Sequence, residues 1–135
     1  MRLFGRAKQG GELAINIRPV TREEATIRVL AEPDFVPVEG NACVSGDRAF
    51  DREVEQRILA HLERGDVWAW AAVTIIVTWT PFEARTHLSC CSYADEDDFK
   101  QSGGYFDDMV EEALEELNRS VYEAYQRIKE REKAA

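Results

Sequence analysis

The stretch DVWAWAAVTIIVTWT, Asp66 to Thr80, limits the fold more than any other part of the chain. Val67, Ala69, Ala71, Val73, Ile75, Val77 and Trp79 form an unbroken apolar series at every second position, with Trp68, Trp70, Thr74, Ile76 and Thr78 opposite. A period of two among β-branched residues is the pattern of a strand, and apolar groups on both sides place that strand inside a sheet. The uncharged run from Val67 to Phe82 is 16 residues long, short of the roughly 20 that a membrane-crossing helix needs. No membrane role is expected.

Around this strand the remaining elements fall into order. ELAINIRPV alternates Leu13, Ile15 and Ile17 with Ala14, Asn16 and Arg18 and ends at Pro19; ATIRVLAE repeats the alternation with Ile27, Val29 and Ala31. The pair predicts a hairpin turning near Thr21 to Glu24. After an irregular crossing marked by Pro33, Pro37 and Gly40, Ser45 or Asp47 can cap a helix carrying Phe50, Val54, Ile58, Leu59 and Leu62 and stopping at Gly65, with its apolar face expected on the sheet. A turn around Pro81 to Ala84 leads to RTHLSCCSY, the expected antiparallel neighbour of the central strand. Beyond an acidic loop and Gly103-Gly104, Phe106, Val110, Ala113, Leu114, Leu117, Val121, Ala124 and Ile128 are spaced three and four apart, which predicts a helix from about Tyr105 to about Arg131. The order reads ββαββα, an α+β single domain with an antiparallel sheet of about four strands and two helices packed on it. Residues 1–11 are expected to be a mobile lead-in, 12–131 the domain and 132–135 a C-terminal tail.

At 135 residues and 44% hydrophobic the chain suits one core, and a domain of this size buries about two-thirds of its unfolded surface. Its three cysteines, Cys43, Cys90 and Cys91, are odd in number with two adjacent, a poor start for a disulfide framework and a fit to a reducing cytoplasm. MRLFGRAKQGG has basic residues but no apolar core of a signal peptide, so a cytoplasmic protein is expected.

The net charge of −9 is concentrated. Asp95, Glu96, Asp97, Asp98, Asp107, Asp108, Glu111, Glu112, Glu115 and Glu116 face Lys100 alone within their segment, and the rest of the chain is balanced at 16 acids and 16 bases. Such a charge argues against direct nucleic-acid binding, which gains its energy from basic groups that displace counterions. On a helical wheel with Asp107 at 0°, the six helix acids fall between about 0° and 180° and the apolar residues centre near 280°. Six carboxylates over about 14 Å give roughly one charge per 2.7 Å, comparable with about 1.7 Å for duplex DNA. One reading is a solvated face, with Asp107 and Asp108 favoured by the helix dipole. Yet Glu111-Glu115 and Glu112-Glu116 are like-charge pairs one turn apart, each costing a few tenths of a kcal/mol where a lysine would help. The second reading is a surface that docks on a basic protein groove in place of phosphates.

Other chemistries find less support. His87 and Cys90 on one strand point to opposite faces, and His87 and Cys91 lie about 13 Å apart in an extended chain, so without a bulge they cannot share a zinc ion. No metal or cofactor is expected. Cys43 precedes a helix, but neither a nucleophile elbow nor a triad spacing accompanies it, and His61 sits mid-helix; a small enzyme built on Cys43, His61 or His87 is the alternative class, with no catalytic residue assigned. Pro33-Asp34 and Asp98-Phe99-Lys100 only loosely match a metal-dependent nuclease. DEDD, Asp95 to Asp98, lacks the spacing of a calcium loop. Gly103-Gly104 turns the chain, since Asp107 and Asp108 would repel a phosphate there. Trp68, Trp70 and Trp79 read as sheet core before they read as an exposed aromatic surface. Tyr122, Tyr125 and Ile128 extend the stripe of the last helix and allow a homodimer or an oligomerising module.

VEGNACVSGD, GDVWAW, LSCCSYADEDDF and GGYFDDMVEEALEELN together resemble uncharacterised small acidic proteins of tailed phages and related mobile elements, over roughly Val38 to Asn118. The resemblance implies a setting in the host cytoplasm where small acidic, non-catalytic proteins block nucleases or defence complexes; it supplies no catalytic residues. The expected function is therefore a non-catalytic acidic binding module, an inhibitor that mimics DNA phosphates. Its expected contacts are Asp95, Glu96, Asp97, Asp98, Asp107, Asp108, Glu111, Glu112, Glu115 and Glu116, presented to a basic surface such as a nucleic-acid-binding groove.

Overall fold

The computed structural model describes residues 17–134. In chain order the elements are β1 (Thr26–Pro33), α1 (Arg48–Glu63), a 3-10 turn (Val67–Ala69), β2 (Ala71–Trp79), β3 (Phe82–Cys91), α2 (Glu96–Gln101) and α3 (Tyr105–Ala134). The strands form one antiparallel sheet in the order β1-β2-β3. The α+β class holds; the order among the described residues is βαββαα, with three strands and three helices where about four and two were expected.

β2 is central because it is apolar on both sides. Ala71, Val73, Ile75 and Val77 are at most 1% exposed and face α3. On the other face Ile76 is also buried, flanked across the two ladders by the exposed Arg28 and Arg85. α3 lays Phe106, Met109, Val110, Ala113, Leu117 and Val121 on the sheet, and each large side chain so buried contributes about 1.5–3 kcal/mol. The strand begins later than the sequence pattern suggests. Val67 to Ala69 form the 3-10 turn, so Trp68 leaves the sheet and meets Phe99 of α2 at 5.5 Å, and Trp70 is buried with its indole Nε1–H donating to the Val36 carbonyl at 2.7 Å. Trp79, half exposed, stacks on Phe82 across the two-residue Thr80-Pro81 turn, whose peptide bond is cis.

The first expected strand is not formed over Ile17 to Pro19. Its residues 12–16 lie outside the described residues, and Ile17 to Val20 are in no strand. Just past that strand's expected end, Val20 is held by Asn118, the one buried polar side chain of the core among the described residues. Its amide accepts from the Val20 N–H at 2.8 Å and donates to the Val20 carbonyl at 3.0 Å. The chain is thereby held on α3 at this point. The turn after it is present, closed by Glu24 and Ala25 N–H groups donating to the Thr21 carbonyl.

α1 starts and stops as its sequence indicates. Asp47 accepts from the N–H groups of Ala49 and Phe50, and Gly65 adopts φ 87° just beyond the last turn. Its packing differs: no residue of α1 is buried, and its principal neighbour is the 3-10 turn and not the sheet face. Two carboxylates one turn apart hold the preceding loop to it, Asp51 accepting from Ser45 and Glu55 from the Gly40 N–H. The acidic segment expected as a loop contains α2. Asp95 caps it by accepting from the Asp98 N–H at 2.8 Å, and fully buried Phe99 anchors it against Tyr93 and Phe106. α3 runs on to Ala134, past the end expected at Arg131.

Candidate functional site

The buried face of α3 fixes what the other face shows. With Phe106, Val110, Ala113, Leu117 and Val121 against the sheet, Asp107, Asp108, Glu111, Glu112, Glu115 and Glu116 are all exposed. They are not equivalent. Asp107 meets Arg22 at 3.0 Å, and that guanidinium also lies 5.5 Å from the centre of the Phe106 ring. Glu116 is paired with Arg119 one turn on. Among the described residues, Asp108, Glu111, Glu112 and Glu115 have no ion pair. These four sit at i, i+3, i+4 and i+7, a single stripe about 10 Å long. On the wheel they occupy about 40° to 140°, opposite the apolar face, and the two neutralised acids flank them.

The acids of the preceding segment are mostly engaged in structure. Asp95 is the cap of α2. Asp98 accepts from the Ala94 N–H and the Ser102 hydroxyl, each at 2.9 Å, and these bonds, the Ala94 N–H first, hold its carboxyl below its ordinary pKa. Glu96 pairs with Lys100 at 3.0 Å. Of these four, Asp97 alone is exposed with neither an ion pair nor a side-chain hydrogen bond among the described residues. The set of ten acids thus divides into five that fold or brace the chain and five that have no such tie among the described residues. Arg119 was legible as an i, i+3 partner of Glu116; Arg22, 85 positions from Asp107, was not.

The cysteines and histidines are dispersed. Cys43 lies beside Asp51, and the hydrogen bond to that carboxylate, then burial, raise its thiol pKa, which lowers the thiolate fraction a nucleophile needs. His61 meets Asp66 through Nδ1 at 3.2 Å, and His87 meets the Thr74 hydroxyl at 3.0 Å on the open face of the sheet. A bulge opposite Ala72 resets the end of β3. Cys90 takes φ 59° with its N–H on Asp34 at 2.6 Å, and the extra residue sends Cys91, in place of Cys90, into the core. Burial pushes the Cys91 thiol up to about 11. The gaps that hold Cys43 and the Cys90-Cys91 pair contain no histidine. Among the described residues no group of three or more His, Cys, Asp or Glu is placed to hold a metal ion, and no helix is long and apolar enough to cross a membrane.

Comparison with protein-family models, with curated proteins and with solved structures finds no match to this chain.

Proposed function

We propose that the protein is a non-catalytic binding module that presents the α3 stripe, Asp108, Glu111, Glu112 and Glu115, to a basic surface on another protein. The observation that carries this reading is the division of the acids: the flanking Asp107 and Glu116 have intramolecular cations, and the four between them have none among the described residues. A helix face with two like-charge i, i+4 contacts, Asp108-Glu112 and Glu111-Glu115, is locally unfavourable, and it becomes favourable when a partner's lysines or arginines meet it. The charge spacing suits a groove that otherwise receives nucleic-acid phosphates, with long-range attraction speeding encounter. In the mobile-element setting that the resemblance implies, the partner is a host nucleic-acid-binding or defence complex, and occupation of its groove inhibits it.

The test immobilises the full chain, passes host lysate over it, and repeats the capture with Asp108→Lys, Glu111→Lys, Glu112→Lys and Glu115→Lys combined. Basic nucleic-acid-binding proteins are expected on the native chain. They should be absent from the variant, displaced by duplex DNA, and lost between about 0.1 and 1 M salt, where the Debye length falls from about 10 Å to about 3 Å. The neutral set Asp108→Asn, Glu111→Gln, Glu112→Gln and Glu115→Gln controls for helix stability by circular dichroism. Capture of the same proteins by native and reversed chains rejects the proposal.

A further inference from the structure

Among the described residues β1 is an edge strand, and the direction of its outward groups follows from its register. The Asp34 N–H donates to the Trp70 carbonyl in continuation of the β1-β2 register. In an antiparallel ladder the N–H and C=O of one residue point the same way and alternate along the strand. Even-numbered residues of β1 therefore point their backbone groups at β2, and Ile27, Val29, Ala31 and Pro33 point theirs outward. Pro33 agrees with this, since a proline is tolerated where the missing N–H would have faced away from the sheet. Among the described residues no strand pairs with this edge, and a gap of about 400 Å³ borders Ile27 to Leu30 on the side of Glu96, Lys100 and Phe106.

The side chains on the open face of the same strand are Arg28, Leu30 and Glu32, all exposed, Leu30 at 42%. Arg28 and Glu32 have no ion pair among the described residues. They have opposite signs and stand two residues either side of Leu30, which makes the strand self-complementary under a two-fold axis.

We infer that β1 pairs antiparallel with β1 of a second copy, about a two-fold axis at Leu30, to join two three-stranded sheets into one of six strands. Of the two-fold registers that bring outward-pointing residues together, the one centred on Leu30 sets Arg28 against Glu32 of the second copy twice. It also sets Leu30 against Leu30. Val29 and Ala31 exchange backbone hydrogen bonds with Ala31 and Val29 of the second copy, and the Ile27 N–H meets the Pro33 carbonyl. Registers centred on Val29 or Ala31 oppose Arg28 with Leu30 or Glu32 with Leu30, and satisfy neither charge. The interface is isologous, so it closes at two copies, and it removes an edge that would otherwise template indefinite strand addition. It uses none of the α3 stripe, so its failure and the failure of the proposed function are separable.

Sedimentation equilibrium of the full chain should show a concentration-dependent dimer. Arg28→Glu alone, or Glu32→Arg alone, replaces two opposite-charge contacts with two like-charge ones and should weaken association roughly tenfold or more. The double exchange Arg28→Glu with Glu32→Arg should restore it, which a merely structural injury would not. Amide exchange gives a second reading: the Val29 and Ala31 N–H groups should be protected at dimer concentrations and unprotected on dilution. The α3 reversals should leave the dimer intact. A monomer at every attainable concentration overturns the inference, as does a dimer indifferent to both single exchanges or one that the double exchange fails to restore.

Discussion

Helices α1 and α3 have similarly regular apolar spacing, yet α3 buries seven residues and α1 buries none. The cause lies in what each helix meets. α3 lies along the side of the sheet where β2 offers Ala71, Val73, Ile75 and Val77 without interruption, and β1 and β3 add Ile27, Val29, Ala84 and Leu88. α1 meets chiefly a single 3-10 turn and is held by polar ties from its own loop. The same half of the molecule leaves Phe35 fully exposed, Val44 largely so and Phe50 about half exposed. An amphipathic pattern states that a helix has a face to bury; the area of complementary surface decides how much is buried.

The comparison breaks if equal truncations on the two helices cost the same. Leu117→Ala on α3 removes a fully buried side chain and should cost about 2–5 kcal/mol in urea unfolding. Leu59→Ala on α1, half-buried, should cost less than about 1 kcal/mol, because little apolar area leaves the core. Similar losses would mean that α1 shares the core after all.

A smaller effect is expected at the tie between α3 and the segment before β1. Asn118→Leu leaves the Val20 N–H and carbonyl buried without partners, at about 1–3 kcal/mol. Accelerated amide exchange at Val20, with the β2 amides retaining their protection, would locate the loss in that clamp. Unchanged exchange at Val20 would show that the backbone had found other acceptors.

These two sites also show how far the sequence could be read. Leu117 was legible because its neighbours at three- and four-residue spacing are also apolar, and the exposed acids followed from the same wheel. The interior position of β2 followed from Ile76, an apolar residue on the polar side of the alternation. Asn118 was not legible. Its role depends on a backbone 98 positions away, and no local rule distinguishes an asparagine clamp from a solvated one. The same tertiary contact holds Val20, just past the expected end of the first strand at Pro19, on α3. α2 was missed because a run of acids reads as a solvated loop; the signal was Asp95 three residues before Asp98 with a lone apolar Phe99 behind it, a cap followed by an anchor. Within the candidate site, composition identified the acids, and only the folded chain separates the stripe from Asp107, which Arg22 neutralises from another part of the chain.

The smallest expected effect sharpens the contrast from the surface side, where ion pairs replace burial. Arg18 meets Glu24 through both guanidinium nitrogens at 3.0 and 2.9 Å, and Thr21 donates from its backbone to the same carboxylate. These bonds, the Arg18 bond first, lower the Glu24 pKa from 4.5 to about 2. The folded state therefore holds this proton less tightly than the unfolded chain. The resulting contribution to stability is complete above about 4.5, declines as pH falls from about 4.5 to about 2, and is absent below. Because the pair is exposed, solvent screens it and the urea midpoint at neutral pH should barely move in Arg18→Ala. The carboxyl resonance of Glu24 reports it directly: its titration midpoint should lie near 2 in the native chain and move back toward 4.5 in the variant. A native midpoint already near 4.5 would mean that the fork is not populated in solution, and that the turn from Thr21 to Glu24 is held by its backbone hydrogen bonds alone.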